Sequence, residues 1–256
     1  KSTQVIPVLA TVPNAASGRT KPAAGWPVVI FQHGITRNRA DALAISATMA
    51  AQGFAVVAID QPLHGIRSID PGISGFYIEN TPFGAIANER TFDLDFSNNT
   101  TGAAGPDGVV DGSGTYTINL TSLLTSRDNL RQAVADLFTL AKTVPTMSVD
   151  GDATPDFDGS RIFFVGQSLG SIVGLNFVAL EPTVSTAVLS VPGGGIAQML
   201  NGSATFGPRI RAGLAASGVT AGTPSFDQFL GAAQQAIDSA DPLNFAARSI
   251  ASGDKI

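Results

Sequence analysis

The chain has no cysteine, a single tryptophan, two tyrosines and only two histidines, His33 and His64. Without cysteine neither a disulfide framework nor a thiolate metal site can form, and thiol usage says nothing about the redox compartment. Charge is sparse too: Asp, Glu, Lys and Arg make up 14% of the residues and sum to −5 at neutral pH. That acidic balance argues against nucleic acid or an anionic membrane surface as the main partner, since both repel it. No apolar run approaches the roughly 18 residues of a membrane-spanning helix. The opening Lys1-Ser2-Thr3-Gln4 has no signal-peptide core, so the sequence reads as soluble with any targeting segment already removed. The shortage of histidine is the most restrictive of these, because histidine is the commonest general base.

What is present points to one large α/β domain. Apolar residues make up 44% of the 256, enough for a sizeable core. Gln4 to Val12 reads as a strand or bent pair, and a Pro/Gly/Ala turn region runs from Pro13 to Gly25. Val28 to Phe31 and Phe54 to Ile59 are continuous apolar runs of the kind buried on both faces of a parallel sheet. Between them Asn38 caps a helix from Arg39 to about Gln52, which Gly53 ends. From 61 to 120 the periodicity dissolves into Gly, Asn, Thr, Asp and Pro, an irregular insertion of the sort found near binding sites. Thr125 with Asp128 resembles a capping box opening a helix to about Thr143, with Leu130, Val134, Leu137, Phe138 and Ala141 on one face. Thr183 to Val191 reads as a further buried strand. After Gly195 short helices follow, from Pro208 to Ser217, Pro224 to Ser239 and Pro242 to Ser252, a cap-like segment over 195–252. Its bulky residues Met199, Leu200, Phe206, Ile210, Phe226, Phe229 and Leu230 are suited either to walling an acyl pocket or to packing the cap itself. Alternating strands and helices imply a mostly parallel, twisted sheet flanked by helices.

The most informative motif is Gly166-Gln167-Ser168-Leu169-Gly170. It follows the apolar run Arg161 to Val165 and precedes the apolar stretch Ser171 to Leu180, so it reads as strand, sharp turn, helix. In such a nucleophile elbow the turn holds the serine in a strained conformation, and side chains two residues before and after it would collide. A bare G-x-S-x-G is weak in a chain with 28 glycines; the flanking pattern gives it weight. His33-Gly34 ends the Val28 to Phe31 strand, where such folds place the second wall of an oxyanion hole. The candidate donors are then the backbone amides of Leu169 and Ile35. His33 is expected to brace that loop.

Across Phe31 to Asp41, Val57 to Gly65, Leu123 to Arg131 and the Ser168 elbow, the chain resembles the bacterial extracellular and virulence-factor lipases of the α/β-hydrolase fold. The resemblance covers most of 28–192. It implies a secreted or cell-surface bacterial serine carboxylesterase that cleaves acyl esters of small molecules or lipids through an acyl-enzyme on Ser168, with no cofactor and no metal.

One departure from that pattern stands out. In this fold the acid and the histidine follow the serine in chain order, yet both histidines precede Ser168. His64 follows the strand two places from the nucleophile's, about 10 Å away at roughly 4.8 Å per strand, whereas a base must come within about 3 Å. Val191 to Phe226 holds no Asp or Glu, so the acid should lie one strand later, and that strand would only begin at Asp254. The catalytic Asp and His are therefore expected after Ile256. The rival reading is a hydrolase-fold binding module without turnover. A second rival keeps the enzyme and changes the bond to a peptide or thioester. Finally, Asp150, Asp152, Thr154, Asp156 and Asp158 alternate like calcium-loop ligands. Pro155 in the sixth position and Arg161 in the twelfth break that pattern, leaving a solvated turn.

Overall fold

A computed structural model describes residues 3–251, in which five strands form one sheet in the order β1-β3-β2-β4-β5. The strands are β1 (Val8–Thr11), β2 (Trp26–Gln32), β3 (Ala55–Ile59), β4 (Phe157–Gln167) and β5 (Val184–Ser190). Only β1 runs antiparallel to its neighbour; β3, β2, β4 and β5 are parallel. Every residue of β2 and β3 is buried, as expected of continuous apolar runs covered on both faces. The β4 strand is longer than its apolar run suggests, because Trp26 pairs with Phe157 before the register shifts to Val28 and Ile162.

Two layers of helix cover the sheet. On one face lie α2 (Leu123–Thr143) and α3 (Leu169–Leu180), whose Leu137, Phe177 and Val178 pack with Val28, Ile30, Val57, Ile162 and Phe164 of the strands. Phe177 meets Phe138 and Phe164 with ring centroids 5.4 and 5.5 Å apart, so truncating it to Ala should cost about 3–5 kcal/mol. On the other face α1 (Leu43–Ala51) covers Val29, Phe31, Val56 and Ala58. Asn38 caps the segment before α1 by accepting from the Ala40 amide at 3.0 Å, as its sequence position implies. The first turn there is a 3₁₀ helix over Arg39–Ala42.

Three expectations need correction. The α2 helix begins at Leu123 and Ser122 makes no capping bond to the backbone. Instead Asn119 accepts from the amides of Thr121 and Ser122 at 3.0 and 2.9 Å, moving the start upstream of the Thr125 and Asp128 pair. The β5 strand is only half buried: Val184 and Ala187 face the core, while Val188 is 58% exposed. Among the described residues it has one sheet neighbour, β4. The cap carries an additional helix, α4 (Ile196–Gly202), before α5 (Phe206–Ala216), α6 (Pro224–Ile237) and α7 (Ala246–Ala251). The strand anticipated from Asp254 lies outside the described residues. Among the described residues no helix is long and apolar enough to cross a membrane.

Candidate active site

Ser168 occupies the turn from β4 into α3 with φ 53° and ψ −116°, a backbone conformation costing a non-glycine residue on the order of 1–3 kcal/mol. The surroundings enforce it. The Ser168 amide donates to the Ser190 carbonyl at 2.8 Å, and the Ser168 carbonyl accepts from Ser171 and Ile172 at 2.8 and 3.0 Å. The Ser171 hydroxyl lies 2.7 Å from both the Gly166 and Ser190 carbonyl oxygens, tying the elbow to the end of β5. Both motif glycines are sterically required. A Cβ at Gly166 would stand 2.6 Å from the Gly170 oxygen, and one at Gly170 would strike the Gln32 carbonyl and lie 2.7 Å from the His33 oxygen. The elbow is thus pressed directly against the end of β2.

That contact brings the second loop to the serine. A Cβ at Gly34 would be 3.3 Å from the Ser168 Cβ, so the Gly34-Ile35 peptide lies beside the hydroxyl. Among the described residues neither the Ile35 nor the Leu169 N–H donates to a protein acceptor. Leu169 opens α3, and the positive end of the helix dipole adds to its pull on negative charge. The two amides proposed from sequence as oxyanion donors therefore stand free on either side of Ser168.

Neither histidine hydrogen-bonds Ser168. His33 is fully buried; its Nδ1–H donates to the Gly34 carbonyl at 2.8 Å and its Nε2 accepts from the Gln61 amide at 3.1 Å. Burial lowers its pKa against the opposing pull of Asp60. It braces the Gly34 loop. His64, also buried, donates from Nδ1 to the Pro62 carbonyl at 2.9 Å, leaving Nε2 without a partner. Burial, reinforced by His33, pushes its pKa down to about 4, too low for efficient proton abstraction near neutrality.

Ser168 lines a cavity of about 400 Å³ whose walls are mostly apolar, among them Ile35, Leu169, Met199, Phe206, Phe229 and Ile237. Of the cap residues suggested for such a pocket, Leu200, Ile210 and Leu230 also line it. Phe226 does not: it packs inside the cap with Ile210, Leu214 and Leu230.

Sequence reasoning passed over Asp241. Its buried carboxylate accepts from the amides of Gly195, Ile196 and Leu243 at 3.1, 2.8 and 3.0 Å and from Gln234 Nε2 at 2.8 Å. Burial alone would raise its pKa, but these donors outweigh that and hold it below the usual carboxylate range. The bonds from Gly195, Ile196 and Gln234 fasten the start of α4, and so the cavity wall, to α6, while that from Leu243 caps the 3₁₀ turn Pro242–Asn244. The only signal in the sequence was Asp241-Pro242, a turn-initiating pair. In the Asp150 to Asp158 loop, Asp156 binds Lys21 and the Val149 amide, and Asp158 holds Ser160. No group of three or more side chains suited to a metal occurs among the described residues.

The family profile of platelet-activating factor acetylhydrolase, isoform II, matches residues 4–64, the stretch that carries β1, β2, the Gly34 loop, α1, β3 and both histidines. No curated protein matches the chain significantly. Among solved structures, an acetyl xylan esterase from Paenibacillus sp. R4 superposes with a TM-score of 0.56 at 18% identity, over 95% of this chain and 61% of its own. An acetyl xylan esterase from a Thermoanaerobacterium species gives 0.49 at 20% identity, over 89% and 58%. The chain thus spans about three fifths of the length of these esterases. The likeness establishes the α/β-hydrolase fold.

Proposed function

We propose that this chain carries the nucleophile, oxyanion hole and acyl site of a serine carboxylester hydrolase acting on neutral, apolar acyl esters. One observation carries the reading: Ser168, on a strained backbone, lines a mostly apolar cavity of about 400 Å³ together with Ile35 and Leu169, whose amides have no protein acceptor. Ser168 Oγ attacks the ester carbonyl, the oxyanion rests on the Ile35 and Leu169 amides, the alcohol leaves, and water releases the acid from the acyl-enzyme. Neither His33 nor His64 hydrogen-bonds Ser168, because both are committed to loop structure. The names of the similar proteins, an acetylhydrolase and acetyl xylan esterases, support ester cleavage. The cavity favours acyl groups longer than acetyl, since an apolar cavity of about 150 Å³ already holds benzene. Resemblance to the bacterial extracellular lipases supports a secreted or cell-surface setting.

A fluorophosphonate probe tests this directly. It should attach to the peptide containing Ser168, and Ser168→Ala should abolish labelling and lower ester turnover by about 10⁴-fold or more. Undiminished labelling of Ser168→Ala overturns the assignment. The engagement of both histidines favours a second reading, a binding module. It would show as an apolar ligand held in the cavity with no labelling or turnover dependent on Ser168.

A further inference from the structure

The irregular segment 61–120 meets the loop after β2 at the turn Ser113-Gly114. We propose that this turn is a positioning element for the oxyanion hole, holding the loop that presents the Ile35 amide; the inference rests on the reading of Ser168 as nucleophile.

The loop needs such a hold. After Ile35 comes Thr36, exposed and at φ 65°, a conformation a β-branched residue adopts only when its surroundings impose it. Within the loop one backbone bond, Arg37 N–H to the Gly34 carbonyl at 3.2 Å, closes the turn. His33 braces it from beneath through the Gly34 carbonyl, and further restraint comes from the excursion. Ser113 Oγ–H donates to the Arg37 carbonyl at 2.6 Å and its oxygen accepts from the Gly65 amide at 3.1 Å. One hydroxyl therefore ties the ends of the β2 and β3 loops together. The next residue adds a second clamp, Gly114 N–H donating to the Leu63 carbonyl at 2.8 Å.

Three left-handed residues meet here: Thr36, Leu63 at φ 66° and Gly114 at φ 74°. A Cβ at Gly114 would lie 2.8 Å from the Thr36 amide nitrogen and closer still to His64 Nε2, so only glycine lets the turn seat this deeply. The buried Nε2 it faces is left without a hydrogen bond. An unmet buried acceptor and two strained non-glycine residues at one contact are a local cost, and such costs collect where geometry is held for function. The segment beyond the turn supplies Thr117, Asn119 and Leu120 to the cavity wall. The same strand of chain thus sets both acyl site and oxyanion loop.

The test compares Ser113→Ala, Ser113→Thr and Gly114→Ala with the whole wild-type protein. Readouts are kcat and KM on a p-nitrophenyl ester, the rate of fluorophosphonate labelling, thermal melting, and affinity for the apolar dye N-phenyl-1-naphthylamine, which needs the cavity but no oxyanion donor. Displacing one donor should cost part of the roughly 10²–10³ that losing it entirely costs. Ser113→Ala should therefore lower kcat and labelling rate about tenfold, with KM and dye affinity unchanged within about twofold. Ser113→Thr, which keeps the hydroxyl, should recover most of the loss, and Gly114→Ala should lose more than Ser113→Ala. A kcat for Ser113→Ala within twofold of wild type overturns the proposal. So does a fall in kcat matched by equal losses of dye affinity and melting temperature, the signature of a general structural role. Wild-type labelling that survives Ser168→Ala overturns the parent reading instead.

Discussion

His33 and His64 meet in the loops after β2 and β3 with ring centroids 5.0 Å apart and planes tilted by 53°, each neutral and each donating Nδ1–H to a nearby carbonyl. Burial penalises the charged form of both, and the nearby Asp60 carboxylate opposes that penalty without offsetting it. Their folded-state pKa values accordingly lie below the ordinary 6.5, that of His64 at about 4. The unfolded chain therefore binds protons that the fold excludes. The stabilisation is whole above about pH 6.5 and is lost as pH falls toward 4; for His64 alone it amounts to about 3 kcal/mol. Urea midpoints measured from pH 7 to pH 4 should fall steeply in the wild type and less steeply in His64→Gln. Equal slopes for the two proteins would rule the histidine out as the source. Acid inactivation of this protein is thus expected to include unfolding, separate from protonation of whatever base serves Ser168.

At the scale of elements, the irregular segment 61–120 is held in place by buried charge. Arg39 donates to Asp60 and, through Nη1 and Nη2, to Glu89 at 2.6 and 2.7 Å. Glu89 also accepts from the amides of Ile66 and Ile78 at 3.2 and 2.9 Å. Removing one member of such a network leaves the others desolvated and unpaired, at a cost of about 3–5 kcal/mol. Glu89→Ala should lose that much in urea unfolding and become sensitive to proteolysis within 61–120. A loss under about 1 kcal/mol would show that the segment is held by something else. None of this was legible in the sequence. Arg39, Asp60 and Glu89 are far apart in the chain, and pairing between charged residues leaves no periodic trace. The strands β2 and β3, by contrast, were readable because burial on both faces writes a continuous apolar run. The elbow was readable because steric exclusion around Ser168 demands glycines at fixed offsets. That His64 makes no hydrogen bond to Ser168 also followed from strand spacing. Ser113, Gly114 and Asp241 escaped notice for the same reason as Glu89: their roles are set by what folds against them.

At the scale of the whole molecule the misreading of β5 is instructive. Its apolar residues resemble a fully buried strand, but burial depends on what lies beside it, and among the described residues only β4 does. Val188 pairs in register with Val165, and Val191 just beyond is 74% exposed. Phe163 and Val165 on the neighbouring strand are themselves only half covered. An edge strand with Val188 exposed and no lysine or proline along Val184–Ser190 is a template for another strand. The material of residues 1–256 should therefore be limited in handling by colloidal behaviour before it unfolds: light scattering on warming should begin earlier as concentration rises, and Val188→Lys should delay it. Onset independent of concentration, or unchanged by the lysine, would place the liability elsewhere. Where the lysine does delay it, the solubility of this chain follows the β5 edge left open among the described residues, and a partner strand supplied in trans would act on it as a chaperone.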